Sequence, residues 1–136
     1  MRDGGRDTRR PQRPSRRGPV ARRREAGNTI EGFAPGTPVL VNLVNPKEKF
    51  FGTLRSLSAA GVTMRAINLD SFDDWVRQIA RGDGSEIRAI TMFVPLFRVE
   101  RIFVDEPAGA IKSYAQRFED VVGRRVADHL AMTEDS

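Results

Sequence analysis

The chain has 136 residues, 39% hydrophobic and 30% charged, which suits one folded domain with appended segments and leaves too little chain for two independent cores. Because it has no cysteine and a single histidine, His129, we expect no disulfide, no thiolate nucleophile and no metal site built from cysteines or clustered histidines. No apolar run is long enough to span a bilayer, and the lack of cysteine favours a reducing, cytoplasmic location.

The net positive charge lies entirely in residues 1–32. This segment holds ten arginines and four acidic residues, a net charge of +6, whereas the rest holds 13 basic and 14 acidic residues, a net charge of −1. The segment has almost no apolar residues and is predicted to be a disordered tail. Two interpretations stay open: it binds RNA or another anion non-specifically, or it is a solubilising extension. The candidate anion-binding residues are Arg9, Arg10, Arg13, Arg16, Arg17, Arg22, Arg23 and Arg24.

Three β-strands are predicted between residues 39 and 69. Residues 39–44 read V-L-V-N-L-V and are apolar on both faces, which indicates a strand in the middle of a sheet. Residues 49–57, K-F-F-G-T-L-R-S-L, form the second strand, in which Gly52 permits a strong bend or a close backbone approach. Residues 62–69, V-T-M-R-A-I-N-L, form the third.

A short amphipathic helix is predicted at about residues 71–82, between the third and fourth strands. Ser71 suits the N-cap position and Gly82 the end of the helix. Phe72 and Trp75 begin an apolar stripe at helical spacing. Either this stripe packs on the sheet, or Phe72 and Trp75 contact a partner protein, since Trp is enriched at interface hot spots.

The next segment, residues 91–104, is predicted to form two strands joined by a sharp corner. It reads T-M-F-V-P-L-F-R-V-E-R-I-F-V, and its link at residues 95–98 is too short for a helix and lacks the chemistry of a hairpin turn. Such a corner is typical of small, strongly bent β-barrels. Leu96 and Phe97 are apolar and cannot donate to a base or a phosphate, so we predict that they belong to a protein interface.

A second amphipathic helix is predicted after residue 107. Ser113 and Gln116 form a capping-box pattern, and Gly123 interrupts the helix, which indicates a kink and two halves that dock on different surfaces. Two interpretations stay open: the helix extends the core, or its distal half docks into another chain. The apolar residues recur every four positions at Tyr114, Phe118, Val122, Val126 and Leu130, of which Phe118, Val122 and Val126 are interface candidates.

Sequence motifs of enzymes are not found. The chain contains no phosphate-binding loop, no dinucleotide-binding glycine motif and no nucleophile elbow. Two pairs of adjacent carboxylates, at residues 73–74 and 105–106, stand at element ends, where a helix start or a turn accounts for them. We therefore expect a protein that is not an enzyme, with no catalytic residues, no cofactor and no bound metal.

Two features resemble the Sm-like family, which includes the bacterial Hfq proteins and the eukaryotic Sm and LSm proteins. Gly52 lies within the apolar strand K-F-F-G-T-L, and Val94, Val99 and Ile102 have the spacing of three apolar residues in the second motif of the family. The resemblance covers residues 39–104, interrupted at residues 70–89. It implies a mainly β fold, a strongly bent five-stranded SH3/Sm-like barrel that often forms rings through its fourth and fifth strands, so a homo-oligomer stays open.

The RNA-binding residues of that family are not matched. Its Asp and Asn after the second strand correspond here to S-A-A-G at residues 58–61, and its Arg-Gly pair at the last corner corresponds to Pro95 and Leu96. The Lys-His pair of Hfq is also missing. The resemblance therefore implies the fold and not the RNA chemistry, and Pro95 removes a backbone donor that ring assembly through this edge would use.

The expected organisation is a tail at residues 1–32, a barrel with its helical insertion at 33–106, and the C-terminal helix at 107–136. The run V-P-L-F-R-V-E-R-I-F-V-D-E also resembles RomX-type accessory subunits of bacterial polarity modules, which act on Ras-like GTPases. That resemblance implies a small GTPase or its scaffold as the partner class. We expect a regulatory adaptor that binds another protein; the alternative is an Sm-like RNA-binding protein whose tail supplies the affinity.

Overall fold

The computed structural model describes residues 30–82 and 86–135 of the chain, with side chains as far as residue 131. Residues 83–85, which follow the predicted end of the inserted helix at Gly82, lie outside the described residues. So do the candidate anion-binding arginines between Arg9 and Arg24, together with all but the last three residues of the predicted tail. The structure therefore bears on the predicted strands and helices and not on the tail.

Five antiparallel strands form one sheet in the order β4-β3-β2-β1-β5. β1 pairs with β2 on one side and with β5 on the other, so it is an inner strand, as its two apolar faces predicted. The central position of the sheet is held by β2. β4 and β5 follow each other in sequence but lie at opposite edges, and the sheet is not closed by pairing between them. The expectation of a mainly β chain is confirmed. The strands are β1 Pro38–Leu43, β2 Glu48–Leu57, β3 Gly61–Asn68, β4 Ile90–Pro95 and β5 Val99–Val104.

Gly52 lies in the middle of β2, where the neighbouring strand comes close. A Cβ atom here would lie 1.9 Å from the carbonyl oxygen of Arg65 and 2.6 Å from Cα of Ala66. Both are backbone atoms of β3, in which Ala66 pairs directly with Gly52. Any side chain at this position would push the two strands apart, so the predicted close backbone approach is confirmed.

One face of the sheet carries the first hydrophobic core. Alternate residues of β1 point into this core, because successive side chains of a strand face opposite sides of the sheet. A fully buried valine, leucine or phenylalanine stabilises the folded state by about 1.5–3 kcal/mol relative to an exposed one. The buried members are Val39, Val41, Leu43, Phe50, Leu54, Val62, Met64, Ala66 and Val94.

Three helices are formed by the described residues: α1 Phe72–Arg81, α2 Tyr114–Val122 and α3 Val126–Asp135. A short 3-10 turn, Leu69–Ser71, leads from β3 into α1, and the side chain of Asn68 caps this turn by accepting from the amide of Asp70. Ser71 stands at the N-cap of α1 as predicted, but its side chain makes no cap hydrogen bond. Gly82 ends α1 with φ at 75°, as predicted. None of the helices in this part of the chain is long and apolar enough to cross a membrane.

Gly123 ends α2 and does not kink a longer helix. Its φ is 85°, and its amide donates to the carbonyl oxygen of Glu119 at 2.8 Å, which closes the last turn. α3 then begins at Val126 as a separate helix. Because Phe118 of α2 and Val126 of α3 are buried in the same hydrophobic core, the prediction that the two halves dock on different surfaces is wrong.

The start of α2 is fixed to the end of β5 by side-chain hydrogen bonds. Ser113 and Gln116 form the predicted capping box, in which each side chain accepts from the backbone amide of the other residue. The two carboxylate oxygens of Asp105 accept from the amides of Tyr114 and Ala115 at 2.9 and 2.8 Å. Asp105 therefore satisfies two amide groups that the helix itself leaves without partners.

Candidate protein-interaction site

Most of the residues predicted for a protein interface are buried within the chain. Phe72, Trp75, Phe118 and Val126 expose between 0 and 3% of their surface, and Val122 is half-buried against the same cluster. They cannot reach a partner without leaving this second core, so the structure places them as packing residues. The buried members of the second core are Phe51, Ile67, Phe72, Trp75, Val76, Ala89, Phe118, Val126 and Leu130.

Trp75 lies at the centre of the layer that joins the three helices to the sheet. Its ring centroid lies 6.1 Å from that of Phe72, 5.1 Å from that of Phe118 and 5.8 Å from that of His129. Phe72 in turn meets Phe51 of β2 edge-on at 5.4 Å. The edge-on Phe51–Phe72 pair has a geometry that aromatic pairs prefer, and such a pair adds about 0.5–1.5 kcal/mol beyond area burial.

The acidic residues at the start of α1 are engaged by arginines. Arg117 of α2 donates to Asp73 at 2.6 Å, and its guanidinium also covers the ring of Tyr114 with 5.0 Å to the centroid. Asp74 is paired with Arg77 one turn along α1. The adjacent carboxylates are therefore parts of ion pairs at a helix start, and no group of three acidic or histidine residues in the described ranges is placed to hold a metal ion.

His129 of α3 packs against the aromatic layer. Its ring lies 5.8 Å from Trp75 and 5.6 Å from Phe118, measured between centroids. Its Nδ1 atom is buried and has no hydrogen-bond partner in the described part of the chain. Burial, and secondarily the positive charge of Arg124, lowers the pKa of His129 below its ordinary value of 6.5.

The lowered pKa of His129 predicts that the stability of the protein depends on pH. Between the lowered folded pKa and the ordinary pKa, the unfolded chain binds a proton that the folded chain does not. The stability contributed by the neutral histidine is therefore complete above its ordinary pKa, and it is lost as the pH falls from there through the folded pKa. We expect the free energy of unfolding, measured in urea, to decrease as the pH is lowered from about 7.5 to about 5.5. This pH interval lies above the range in which carboxylates titrate. The variant His129→Gln should lose this slope. An equal slope in the variant would assign the pH dependence to other groups.

The corner between β4 and β5 exposes the remaining two interface candidates. A 3-10 turn, Leu96–Arg98, joins the strands and presents Phe97 with 83% and Leu96 with 43% of their surface exposed. Single exposed apolar residues are ordinary on protein surfaces, but a phenylalanine that is nearly fully exposed at the tip of a turn is not explained by packing. The structure thus separates Leu96 and Phe97 from the other predicted residues.

Arg98 holds this corner in place. Its Nε atom donates to the carbonyl oxygen of Val44 at 2.8 Å, and one terminal nitrogen donates to the carbonyl oxygen of Pro46 at 2.8 Å and to Glu48 at 3.1 Å. The backbone adds two more hydrogen bonds. The amide of Val44 donates to the carbonyl oxygen of Arg98 at 2.8 Å, and the amide of Leu96 donates to the carbonyl oxygen of Ala60 at 3.0 Å. The turn that carries Phe97 is therefore tied to both neighbouring turns of the sheet.

Two exposed apolar residues of β4 were missed by the sequence analysis. Ile90 and Phe93 expose 53% and 55% of their surface. The ring of Phe93 lies over Gly61 of β3, where a Cβ atom would come within 2.9 Å of its Cζ atom. The signal available in the sequence was the run I-T-M-F-V. Its two faces both carry apolar residues, Ile90, Met92 and Val94 on one and Phe93 on the other, whereas a strand with one solvated face would be polar on that face.

Described residues of the sheet and of α3 also line a small pocket. Its volume is about 150 Å³, and its walls include Thr53, Arg55, Arg65 and Leu130. Sites for small organic molecules usually measure about 300–1,000 Å³, so this pocket does not compete with the apolar corner as a candidate site.

No known protein family matches the chain, and neither the curated proteins nor the solved structures include one that is significantly similar to it.

Proposed function

We propose that the protein is a noncatalytic, cytoplasmic adaptor that binds another protein through the corner between β4 and β5. The observation that supports this proposal most strongly is the 83% exposure of Phe97 on a turn fixed by hydrogen bonds to two neighbouring turns. Burying such a side chain in a partner gains the hydrophobic free energy that folding leaves unused. Because the turn is already ordered, little conformational entropy is lost on binding.

The finer fold assignment belongs to the same proposal. The sharp turn at Leu96–Arg98 and the strand order β4-β3-β2-β1-β5 support a strongly bent, SH3/Sm-like barrel. In this arrangement the corner projects from the barrel, and the three helices cover the face of the sheet opposite the first core. The partner class suggested by the resemblance is a small Ras-like GTPase or its scaffold.

A GTPase partner can be tested with variants of matched exposure. A small Ras-like GTPase from the source organism would be loaded with fluorescent nucleotide, and its binding and nucleotide exchange would be measured with the parent protein, Phe97→Ser and Ile111→Ser. Ile111 is 73% exposed and lies outside β4, β5 and their corner. Loss of a central aromatic contact costs about 2 kcal/mol or more, so Phe97→Ser should bind at least about tenfold more weakly and Ile111→Ser should bind as the parent does.

The GTPase experiment separates the class of partner from the site. If no candidate GTPase binds, the partner class is wrong and the corner remains to be tested with other proteins. If a GTPase binds and the two serine variants weaken it equally, the corner is not the contact surface.

The charge of the tail supports the second candidate, RNA binding. Ten of the 32 residues before Phe33 are arginine, enough to hold single-stranded RNA with an affinity that falls steeply with salt. Replacing the eight candidate arginines by serine in the full chain should abolish RNA binding and leave binding at the corner unchanged. Base-selective RNA binding that survives this replacement would support an Sm-like RNA-binding protein and contradict the adaptor.

A further inference from the structure

The outer edge of β4 carries backbone groups that no described strand uses. β4 pairs only with β3, and its last residue, Pro95, lies opposite Gly61. Since Pro95 has no amide hydrogen, this pair is not a hydrogen-bonded one. Hydrogen-bonded and non-hydrogen-bonded pairs alternate along an antiparallel ladder, so the amides and carbonyls of Thr91 and Phe93 point away from β3.

This edge is apolar on both faces of the sheet. Successive side chains of a strand alternate, so Ile90 and Met92 lie on the face of the first core and Phe93 lies on the face of the helices. Ile90 exposes 53% and Phe93 55% of its surface, one on each face. A strand that covers this edge must therefore be apolar on both faces, unlike a strand that keeps one face in water.

The charges beside β4 are balanced. Glu86 and Arg88 precede the strand, and Arg98 and Glu100 follow it. Arg98 is already paired with Glu48 at 3.1 Å. An occupant with a strong charge of either sign gains no attraction at this edge, whereas a second copy with the same balance meets no repulsion.

We propose that β4 pairs with β4 of a second copy of the chain, antiparallel and about a two-fold axis at Met92. In this register Thr91 of each copy lies opposite Phe93 of the other. Both pairs are hydrogen-bonded ones, because the groups that point away from β3 belong to these two residues. The register needs no amide from Pro95, whose missing donor weakens other pairings of this edge.

The same axis covers the exposed apolar side chains. A two-fold axis perpendicular to the sheet keeps each face of one copy on the same side as the corresponding face of the other. Ile90 then lies opposite Val94 of the second copy, and the two Phe93 rings are diagonal neighbours within reach of each other. The segment I-T-M-F-V is thus the strand, apolar on both faces, that its own edge requires. The inference goes beyond the proposed function, because the contact at Phe97 needs no second copy.

A single cysteine at the axis tests the register, since the chain has no cysteine of its own. Cα atoms of a non-hydrogen-bonded antiparallel pair lie about 4.5 Å apart, within the range that a disulfide spans. In the full chain, Met92→Cys should form an intermolecular disulfide under mild oxidation. Its yield should be at least about tenfold that of Phe103→Cys, a 43% exposed position on β5 at the other edge of the sheet. Equal yields would overturn the proposal.

The oligomeric state of the unmodified chain gives a second readout. Since one pair of strands is a small interface, sedimentation should show a dimer that dissociates at about 1–100 µM. In the dimer the amides of Thr91 and Phe93 should exchange with solvent at least about tenfold more slowly than in the diluted monomer. The amides of Met92 and Val94 point toward β3 and should change much less. A protein that stays monomeric at about 500 µM would contradict the pairing.

Thr91→Pro tests the free edge by substitution. The change removes an amide that points away from β3 and breaks no bond of the ladder, so the variant should keep its circular dichroism spectrum and be monomeric. Ile111→Ser, at a 73% exposed position outside the sheet, should dimerise as the parent does. A folded Thr91→Pro variant that still dimerises would overturn the proposal. If this variant does not fold, the crosslinking and exchange measurements still decide.

Other arrangements of this edge give different results. If β4 of one copy paired with β5 of the next, Met92→Cys would not crosslink to itself and the amides of β5 would be protected as well. That result would replace the two-fold pair. If the protein stays monomeric while a partner still depends on Phe97, the dimer is wrong and the adaptor function stands.

Discussion

Replacing Trp75 by alanine will lower the free energy of unfolding by about 3–5 kcal/mol, the range for removing a large aromatic side chain from a packed core. Trp75 is 2% exposed and contacts rings from α1, α2 and α3, so the cavity would lie where the three helices meet. Native stabilities are about 5–15 kcal/mol, so most of the margin is lost. Because Trp75 is the only tryptophan, unfolding of the variant is measured by far-ultraviolet circular dichroism in urea.

The control for this substitution is Val121→Ala in α2. Val121 is 55% exposed, and a surface substitution of this kind changes stability by about 0.5 kcal/mol or less. If Trp75→Ala cost no more than Val121→Ala, Trp75 would not be a core residue, and the interface interpretation of the inserted helix would regain its basis.

Replacing Gly52 by alanine will lower the free energy of unfolding by about 3 kcal/mol or more, which is at the upper end of the range for adding atoms to a packed interior. The new Cβ atom would meet the carbonyl oxygen of Arg65 at 1.9 Å, and this oxygen belongs to the backbone of β3 and cannot rotate away. The strands must separate near the Gly52–Ala66 pair, which weakens the ladder and the first core together. Urea denaturation followed by tryptophan fluorescence measures the loss.

Gly82→Ala serves as the comparison for Gly52→Ala. Gly82 has φ at 75° and open space around its Cα atom, so the added methyl group meets no atom and costs only the backbone strain, about 1 kcal/mol. If the Gly52 and Gly82 variants lost the same stability, conformational strain and not the close strand approach would account for the glycine in β2.

Local patterns in the sequence were sufficient to predict most elements of the fold. The boundaries of α1 followed from Ser71 and Gly82, and the capping box of Ser113 and Gln116 fixed the start of α2. These signals are local: the Gly82 amide and the capping box bond to backbone groups within one turn, and Ser71 stands at the N-cap position although its side chain makes no cap hydrogen bond. The prediction failed at Gly123, where a glycine in a periodic pattern is equally compatible with a kink or with the end of a helix.

The candidate site was only partly predictable because exposure depends on contacts between distant segments. Phe72 directly follows one 3-10 turn and Phe97 lies within another, yet Phe72 is 2% exposed and Phe97 is 83% exposed. Their difference arises because Phe51 and Tyr114 pack over Phe72, and nothing in the spacing around Phe72 encodes that contact. Likewise, the role of Arg98 depends on Val44 and Glu48, about fifty residues earlier in the chain.

The central claim, that a protein contacts the corner at Phe97, is tested most directly by photo-crosslinking in cells of the source organism. A photoreactive phenylalanine analogue would be placed at position 97 in one strain and at the comparably exposed position 111 in another. We predict one protein of defined mass crosslinked at position 97 and absent from position 111. Crosslinks to RNA alone, or the same set of proteins at both positions, would contradict the account.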